Sequence, residues 1–256
     1  MKERLDKYIV KNNLEESRQR AQILIKEGYV FVNEKVIKKP SFLVTEKDII
    51  KITGTLNYVG RGALKLLEAI KKFNINIEKK ICMDIGASTG GFTQVLLENK
   101  AKKVYAVDVG TMQLHNKIRN NKNVVIMENT NARNLILNEK VDIITCDVSF
   151  ISIKKMIDTF NNNLKKNGKI IALIKPQFEV GRENIIKGIA KDKNIHVKMI
   201  NEIIEYFSKN NIFASKLIKS PIKGGSGNTE YLILFTKTKS SNDKLKIKKV
   251  VFGEKK

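Results

Sequence analysis

The sequence predicts an α/β protein in two parts: a small N-terminal α+β unit, then a larger unit built on a mostly parallel sheet. Three observations carry this. From Tyr58 onwards, short apolar strand cores alternate with amphipathic helical stretches, the pattern of a parallel sheet covered on both faces. Before Thr53, two helical patterns are followed by short strand-like runs. Between Cys82 and Phe92, a strand runs directly into a loop of small residues and then a helix, which is how open sheets present a ligand site at their carboxyl edge.

The 256 residues suit two domains of unequal size, and a hydrophobic content of 42% is enough to build a core. The net charge is +23. A chain this basic repels itself unless a polyanion is a partner, and nucleic acid is the usual one. The many Lys-Asn-Ile stretches show a general lysine bias that accounts for part of the excess, so charge suggests nucleic acid without establishing it. Cys82 and Cys146 lie in apolar runs, form no metal-spaced pair and read as buried free thiols in a reducing compartment. No apolar leader and no apolar run of about 20 residues is present, so a cytoplasmic protein without a membrane or metal partner is expected. The sequence carries no signal for oligomeric state.

In the N-terminal unit, Leu5, Ile9 and Val10 recur at helical spacing. Ser17 is placed to cap a second helix that turns Ala21, Leu24 and Ile25 inwards, and Gly28 to end it in a left-handed turn. Tyr29–Val32 and Ile49–Ile52 read as strands, separated by Asn33-Glu34 and Lys39-Pro40 turns. Arg18, Arg20, Lys35, Lys38 and Lys39 cluster around the junction, a composition suited to a phosphate backbone. The unit is placed at residues 1–54, with 55–57 as a linker. Arg4-Leu5-Asp6, Ser17-Arg18, Ala21, Leu24-Ile25, Gly28, Val30, Val32-Asn33 and Lys39-Pro40 resemble the S-four (αL-type) RNA-binding domain. That resemblance implies RNA contacts, for which Arg4 and Arg61 are further candidates. The bland alternative is a helical cap on the second domain.

The second unit is placed at residues 58–238, with strand cores at Ile81–Ile85, Val104–Val109, Val124–Met127, Ile143–Cys146, Lys169–Ile174 and Tyr231–Phe235. Residues 239–256 read as a basic tail with no obvious core. The spacing of Gly86, Gly90 and Gly91 matches neither the dinucleotide fingerprint nor a phosphate-binding loop, which argues against a nicotinamide-dependent dehydrogenase. Asp84, just ahead of the first glycine, suits a cationic ligand better than a pyrophosphate. Asp108, where the next strand ends about 20 residues on, is placed to accept both hydroxyls of a ribose. Together they describe an adenosyl pocket for a sulfonium cofactor. Asp147 and Lys175 each follow an apolar strand, and a glycine-rich loop delivers Glu230 to the start of the last one. The first two have bland readings: a capping aspartate and a solvent-facing lysine.

In order, YV-x-RG-x-x-KL, DIGASTGGFT, DVG-x-x-QL, TNAR, DVSFIS, KPQFEVGRE and SPI-x-G-x-x-GN-x-EYL resemble the TlyA (hemolysin A) family of ribosomal RNA 2′-O-methyltransferases over nearly the whole chain. The resemblance implies a Rossmann-like class I fold of the FtsJ-like branch with a seven-stranded, mostly parallel sheet. It also implies S-adenosyl-L-methionine as cofactor and ribosomal RNA or a ribosomal subunit as partner, with a 23S cytidine favoured and 16S RNA as a further target. The Lys-Asp-Lys-Glu tetrad of such enzymes falls on Lys65, Asp147, Lys175 and Glu230. Lys175 is then placed on the acceptor hydroxyl, Lys65 beside it to depress its pKa by like charge, and the two carboxylates to orient the lysines. The cofactor site takes Asp84, Gly86, Ala87, Ser88, Thr89, Gly91, Phe92, Asp108 and Asn131. Two positions depart from the family pattern: Gly60 in place of serine, and Thr111-Met112 in place of Tyr-Gly. His115 and His196 have no partners at metal or triad spacing and are read as incidental. Alternatives from other classes are a non-catalytic ribosomal-RNA-binding assembly factor, disfavoured by the complete tetrad, and a membrane-active cytolysin, disfavoured by the lack of any long apolar segment.

Overall fold

The computed structural model describes residues 2–53, 58–224, 227–239 and 245–253; the expected linker at 55–57 lies outside them. The chain divides into two compact units, Met1–Arg61 and Gly62–Lys256.

The first unit contains β1 (Glu3–Arg4), α1 (Leu5–Lys11), α2 (Arg18–Glu27), β2 (Val30–Val32), β3 (Lys35–Val36), β4 (Leu43–Val44) and β5 (Ile50–Ile52). Ser17 caps α2 by accepting the Arg20 N–H at 3.3 Å, and Gly28 ends it at φ 84°. Strand β2 pairs antiparallel with both β3 and β5, and β1 pairs with β4. Leu5 and Ile9 of α1 close with Ala21, Leu24 and Ile25 of α2 over Val30, Val32 and Val44, all of them buried. The apolar positions read from helical spacing are therefore this unit's core.

The second unit runs α3 (Gly62–Phe73), β6 (Ile81–Ile85), α4 (Gly91–Glu98), β7 (Lys103–Val107), α5 (Asn116–Arg119), β8 (Val124–Met127), β9 (Val141–Cys146), α6 (Ile157–Asn163), β10 (Leu164–Ile174), α7 (Pro176–Glu179), β11 (Ile185–Ile186), β12 (Ile189–Ala190), α8 (Lys193–Lys209), β13 (Phe213–Lys219), β14 (Tyr231–Thr236) and α9 (Ile247–Phe252). Seven strands form one sheet in the order β13-β14-β10-β9-β6-β7-β8. All six sequence-predicted strand cores lie in or overlap this sheet. The seventh strand is β13, whose alternation is broken by a register irregularity between Ala214 and Lys216. Only β14 runs against its neighbours. Its first residues therefore lie beside the carboxyl ends of the parallel strands.

On one face, Met199, Ile200, Ile203 and Phe207 of α8 join Phe160, Ile233 and Phe235 in the main core. The Phe207 ring lies 4.6 Å from Phe235 and 5.9 Å from Phe160, both within the range of favourable aromatic pairs. The basic tail is not coreless: α9 buries Ile247 and Val251 in the same cluster. Ile247 and Val251, one turn apart among lysines and flanked by the partly buried Leu245 and Val250, make a short pattern that folds a six-residue helix onto the sheet.

Candidate active site

Register brings the polar residues together. Ile85 pairs with Cys146, and Ala172 with Cys146, so Gly86 and Asp147 step off adjacent parallel strands at the same edge. Ile174 pairs with Tyr231, so Lys175 and Glu230 continue that antiparallel ladder by one residue. Residues far apart in sequence thus converge because side-by-side strands stop together.

The four tetrad candidates form two ion pairs. Lys65, on α3, donates to Glu230 Oε2 at 2.6 Å, and the two side chains are only 9% and 3% exposed. A Cβ added to Gly224 would collide with Glu230 Oε1, so the loop backbone covers this carboxylate as closely as glycine permits. Lys175 Nζ lies 2.6 Å from Asp147 Oδ1 and donates to Ser149 Oγ at 2.7 Å. Despite that approach, Asp147 Oδ1 accepts no aligned hydrogen bond among the described residues, so it keeps acceptor capacity.

Asp147 and Ser149 line a cavity of about 320 Å³ at this edge, together with Gly86, Ser88, Asp108 and Asn131. At Gly86, φ is 79° and a Cβ would sit 2.5 Å from the Asp147 carbonyl oxygen, so no other residue lets β6 and β9 open here. Asp108 Oδ2 accepts the Ser88 N–H and Oδ1 the Gly110 N–H, each at 2.7 Å. Each oxygen retains a lone pair towards the cavity. Asn131 accepts the Arg133 N–H at 3.1 Å, which holds the Thr130–Ala132 segment on the cavity wall.

Other predicted cofactor residues sit elsewhere. Asp84 is fully buried and does not line the cavity: Thr93 and Thr145 donate to its two oxygens at 2.7 and 2.8 Å. Burial pushes its carboxyl up to about 6, against the two threonine bonds and with help from the nearby charge of Asp147. The expectation of a carboxylate facing a cationic ligand is corrected on this point, because the Asp84 side chain ties β6 to α4 and β9. Ala87, Thr89, Gly91 and Phe92 also lie off the cavity wall. Thr89 instead receives the His115 N–H through its carbonyl, and Phe92 is buried.

Several cavity residues are not among the predicted site residues, although Phe150 and Gln113 stand inside the DVSFIS and DVG-x-x-QL motifs. Phe150 is 88% exposed at φ 65°, its ring 5.1 Å from Phe178. A bulky residue held in the left-handed region is the kind of strain that functional sites retain. Gln113 lines the opposite wall on a loop locked by Glu128, which accepts the Gln113 and Leu114 N–H groups and the Arg119 guanidinium. Burial raises the Glu128 pKa, but Arg119 and these backbone N–H groups outweigh it and hold the carboxyl at about 2. Met112, one of the two family departures, takes φ 55° on this loop, a conformation natural to the glycine it replaces. Glu179 similarly receives Ser152 Oγ–H and the Ile153 N–H, fixing the far end of the loop that carries Ser149 and Phe150.

Neither histidine is incidental to the fold. His115 caps α5 by accepting the Lys117 N–H, and His196 is buried between the Tyr231 hydroxyl at 2.8 Å and the Ala190 carbonyl at 3.1 Å. Burial lowers its pKa, and the carbonyl requires a proton on Nε2, so Nδ1 accepts from Tyr231. Cys82 and Cys146 are buried free thiols; burial pushes Cys82 up to about 12 and Cys146 higher still, so neither is a nucleophile at neutral pH.

In the first unit the basic residues split into two sets. Arg4 and Arg18 both bind the buried Asp6 through Nε at 2.9 Å, joined by Gln22 at 2.6 Å, and Arg20 pairs with Glu15 at 2.7 Å. Burial raises the Asp6 pKa, but these donors outweigh it and hold the carboxyl far below its usual range. Lys35, Lys38 and Lys39 are exposed and make no ion pair among the described residues. Arg61, the last residue of this unit, is partly exposed.

Comparison with known proteins agrees with this architecture. Residues 58–237 match the family model of the FtsJ-like methyltransferases, and residues 3–50 match the S4 domain. The chain is 41% identical to "Hemolysin A" of Brachyspira hyodysenteriae, over 91% of this chain and 99% of that protein. It is 37% identical to "23S rRNA (cytidine-2'-O)-methyltransferase TlyA" of Campylobacter jejuni, over 90% and 98%. A solved structure from Streptococcus thermophilus, 40% identical, covers 98% of this chain and 94% of its own, with a TM-score of 0.79. No helix among the described residues is long and apolar enough to cross a membrane.

Proposed function

The chain belongs to the FtsJ-like methyltransferase family, on the branch of its TlyA (hemolysin A) relatives, and from that premise we propose that it methylates the ribose 2′-oxygen of a cytidine in 23S ribosomal RNA, with S-adenosylmethionine as donor. One observation carries the reading: Asp147 and Ser149, the two partners of Lys175, line the same cavity as Asp108.

The residues fit the cofactor. Gly86 removes the Cβ that would close the strand edge, and the free lone pairs of Asp108 suit the two hydroxyls of an adenosyl ribose. Apolar groups of Val107, Ala132 and Met156 line the same cavity and suit a purine face. When bound, S-adenosylmethionine supplies an electrophilic methyl group on a sulfonium.

The chain's own residues then position the acceptor. An ammonium has three donors; Lys175 directs one at Ser149, is ion-paired with Asp147, and a further donor is assigned to the acceptor oxygen. That bond fixes the hydroxyl for in-line attack, which is where positioning contributes most to such a reaction. Asp147 lines the cavity and is assigned the hydroxyl proton as the new bond forms, while its Oδ1 is buried against Lys175 Nζ. Lys65 and Glu230 act as positioning residues that brace the start of β14 against α3. Phe150 offers a stacking face for the target base beside the cavity.

Residues 1–54 are assigned the RNA-holding role and 58–238 the transfer. Lys35, Lys38 and Lys39 offer charge directly to phosphate. Arg4 and Arg18, preorganised by Asp6, offer their remaining N–H groups.

The test is transfer of tritiated methyl from S-adenosylmethionine to 23S RNA, followed by complete nuclease digestion. Label in 2′-O-methylcytidine is expected; label in a base, or none in RNA, overturns the proposal.

A further inference from the structure

A second cavity, of about 310 Å³, opens on the α8 side of the sheet and shares no residue with the first. Its volume is at the low end of the range for ligand pockets, about 300–1,000 Å³. Four lysines line it: Lys191 and Lys193 at the start of α8, Lys219 at the end of β13, and Lys223 on the following loop. All four are exposed, and none is in an ion pair among the described residues. Elsewhere in this unit Lys103, Lys165 and Lys209 are each paired with a carboxylate at 2.9 Å or less. The nearest acid along the chain, Asp192, is committed to capping α8 through the Asn194 N–H at 2.7 Å. Lys193 lies over the Phe252 ring at 5.5 Å, and the side chains of Lys191, Lys219 and Lys223 have no carboxylate or ring partner among the described residues.

Unpaired ammonium groups around one concavity repel each other, and an anion relieves that repulsion. The floor is built rather than fluid: Tyr231 and His196 hydrogen-bond each other beneath it and are 1% and 2% exposed. The loop that forms one wall is also the loop of the transfer site. Gly224 lies against the Glu230 carboxylate, Lys223 beside it faces the basic cavity, and Ser220 N–H holds the Glu230 carbonyl at 2.9 Å.

We infer that this basic cavity binds the sugar–phosphate backbone of the RNA strand next to the acceptor nucleotide, with Lys191, Lys219 and Lys223 contacting phosphate. The inference rests on the proposed RNA methylation, because the loop shared with Glu230 is what ties the cavity to the acceptor site. It adds a phosphate track on the catalytic unit, separate from the lysines of the first unit.

The experiment compares the full-length wild type with Lys191→Ala/Lys219→Ala/Lys223→Ala and with the triple arginine variant. Affinity for protein-free 23S RNA is measured by filter binding over a salt series, and methyl transfer is followed separately. The alanine variant is expected to bind RNA at least tenfold more weakly. The slope of log affinity against log salt is expected to fall by about 2, at roughly 0.7 per phosphate contact. Affinity for S-adenosylmethionine and the rate at saturating RNA are expected to stay within twofold, and the arginine variant to restore binding. Unchanged RNA affinity and slope overturn the inference, as does a loss that arginine fails to restore. Weakened binding to intact subunits with unchanged binding to free RNA also overturns it, by assigning the cavity to a ribosomal protein. If alanine lowers the melting temperature, the triple glutamine variant carries the same measurement. Absence of methyl transfer by the wild type counts against the proposed function, and is read independently of the binding curves.

Discussion

Two lysine–carboxylate pairs of equal length sit at one edge of one sheet, in opposite surroundings. Lys65–Glu230 is closed off: a helix supplies the lysine, a glycine backbone lies over the carboxylate, and almost no side-chain surface reaches solvent. Lys175–Asp147 opens on a cavity, shares its ammonium with Ser149 and leaves one carboxylate oxygen without an aligned donor. A pair whose hydrogen-bonding capacity is spent inside the protein holds architecture. A pair whose carboxylate residue lines a cavity has something to offer a substrate. Sequence assigns the four residues to one tetrad; the lysines are almost equally buried, and the carboxylates, 3% and 19% exposed, separate the pairs.

The sharpest way to break this comparison is Lys175→Ala. Methyl transfer is expected to fall ~10³-fold or more, in the range for a lost positioned proton-handling group, with cofactor affinity within twofold by calorimetry. A rate within tenfold of wild type removes the role assigned to the open pair. For the closed pair, Lys65→Met leaves Glu230 buried without its partner, and urea unfolding is expected to show a loss of about 3–5 kcal/mol. Adding Glu230→Gln is expected to recover most of that stability but not the activity. If Lys65→Met loses activity alone and keeps its stability, the closed pair is chemical rather than architectural.

A third measurement reads the open pair from beneath. Burial holds the Asp84 carboxyl at about 6, above its ordinary value near 4, and the charge of Asp147 adds to this. An acid with a raised folded-state pKa favours the folded state while protonated, so stability is expected to decline as pH rises from about 4 to 6. Asp84→Asn is expected to flatten that segment of the stability profile, and a segment of unchanged slope contradicts the assignment. Asp147→Asn is expected to shift it to lower pH, while Glu230→Gln leaves it in place. The smallest effect is at the cavity rim. Met112→Gly relieves a left-handed methionine and is expected to raise stability by about 1 kcal/mol, seen as a higher melting temperature. A loss instead would mean that the Met112 side chain holds the loop.

Much of this was legible in the chain. Leu5, Ile9, Leu24 and Ile25 are the first unit's core because helical spacing forces them onto one side. The strand cores from Ile81 to Phe235 are strands because short apolar runs between helices have nowhere else to be buried. What escaped has a common cause. Glu128 and Glu179 look like surface acids until the loops fold back onto them. His196 gains its partners from residues 6 and 35 positions away. Arg4 and Arg18 read as phosphate-binding cations, but each also holds Asp6, which spacing alone does not reveal.

The sequence by itself determined the order of strands, loops and helices, the glycine that opens the cavity and the acid that ends the following strand. These follow from periodicity and residue chemistry within a few positions of one another. Only the tertiary structure decided which acids face the cavity and which are sealed. Asp84 and Asp108 are both carboxylates at the carboxyl end of a parallel strand, yet one points between β6, α4 and β9 and the other into open space. That choice depends on what packs against each strand from elsewhere in the chain, and burial changes a carboxylate's chemistry more than its neighbours in sequence do.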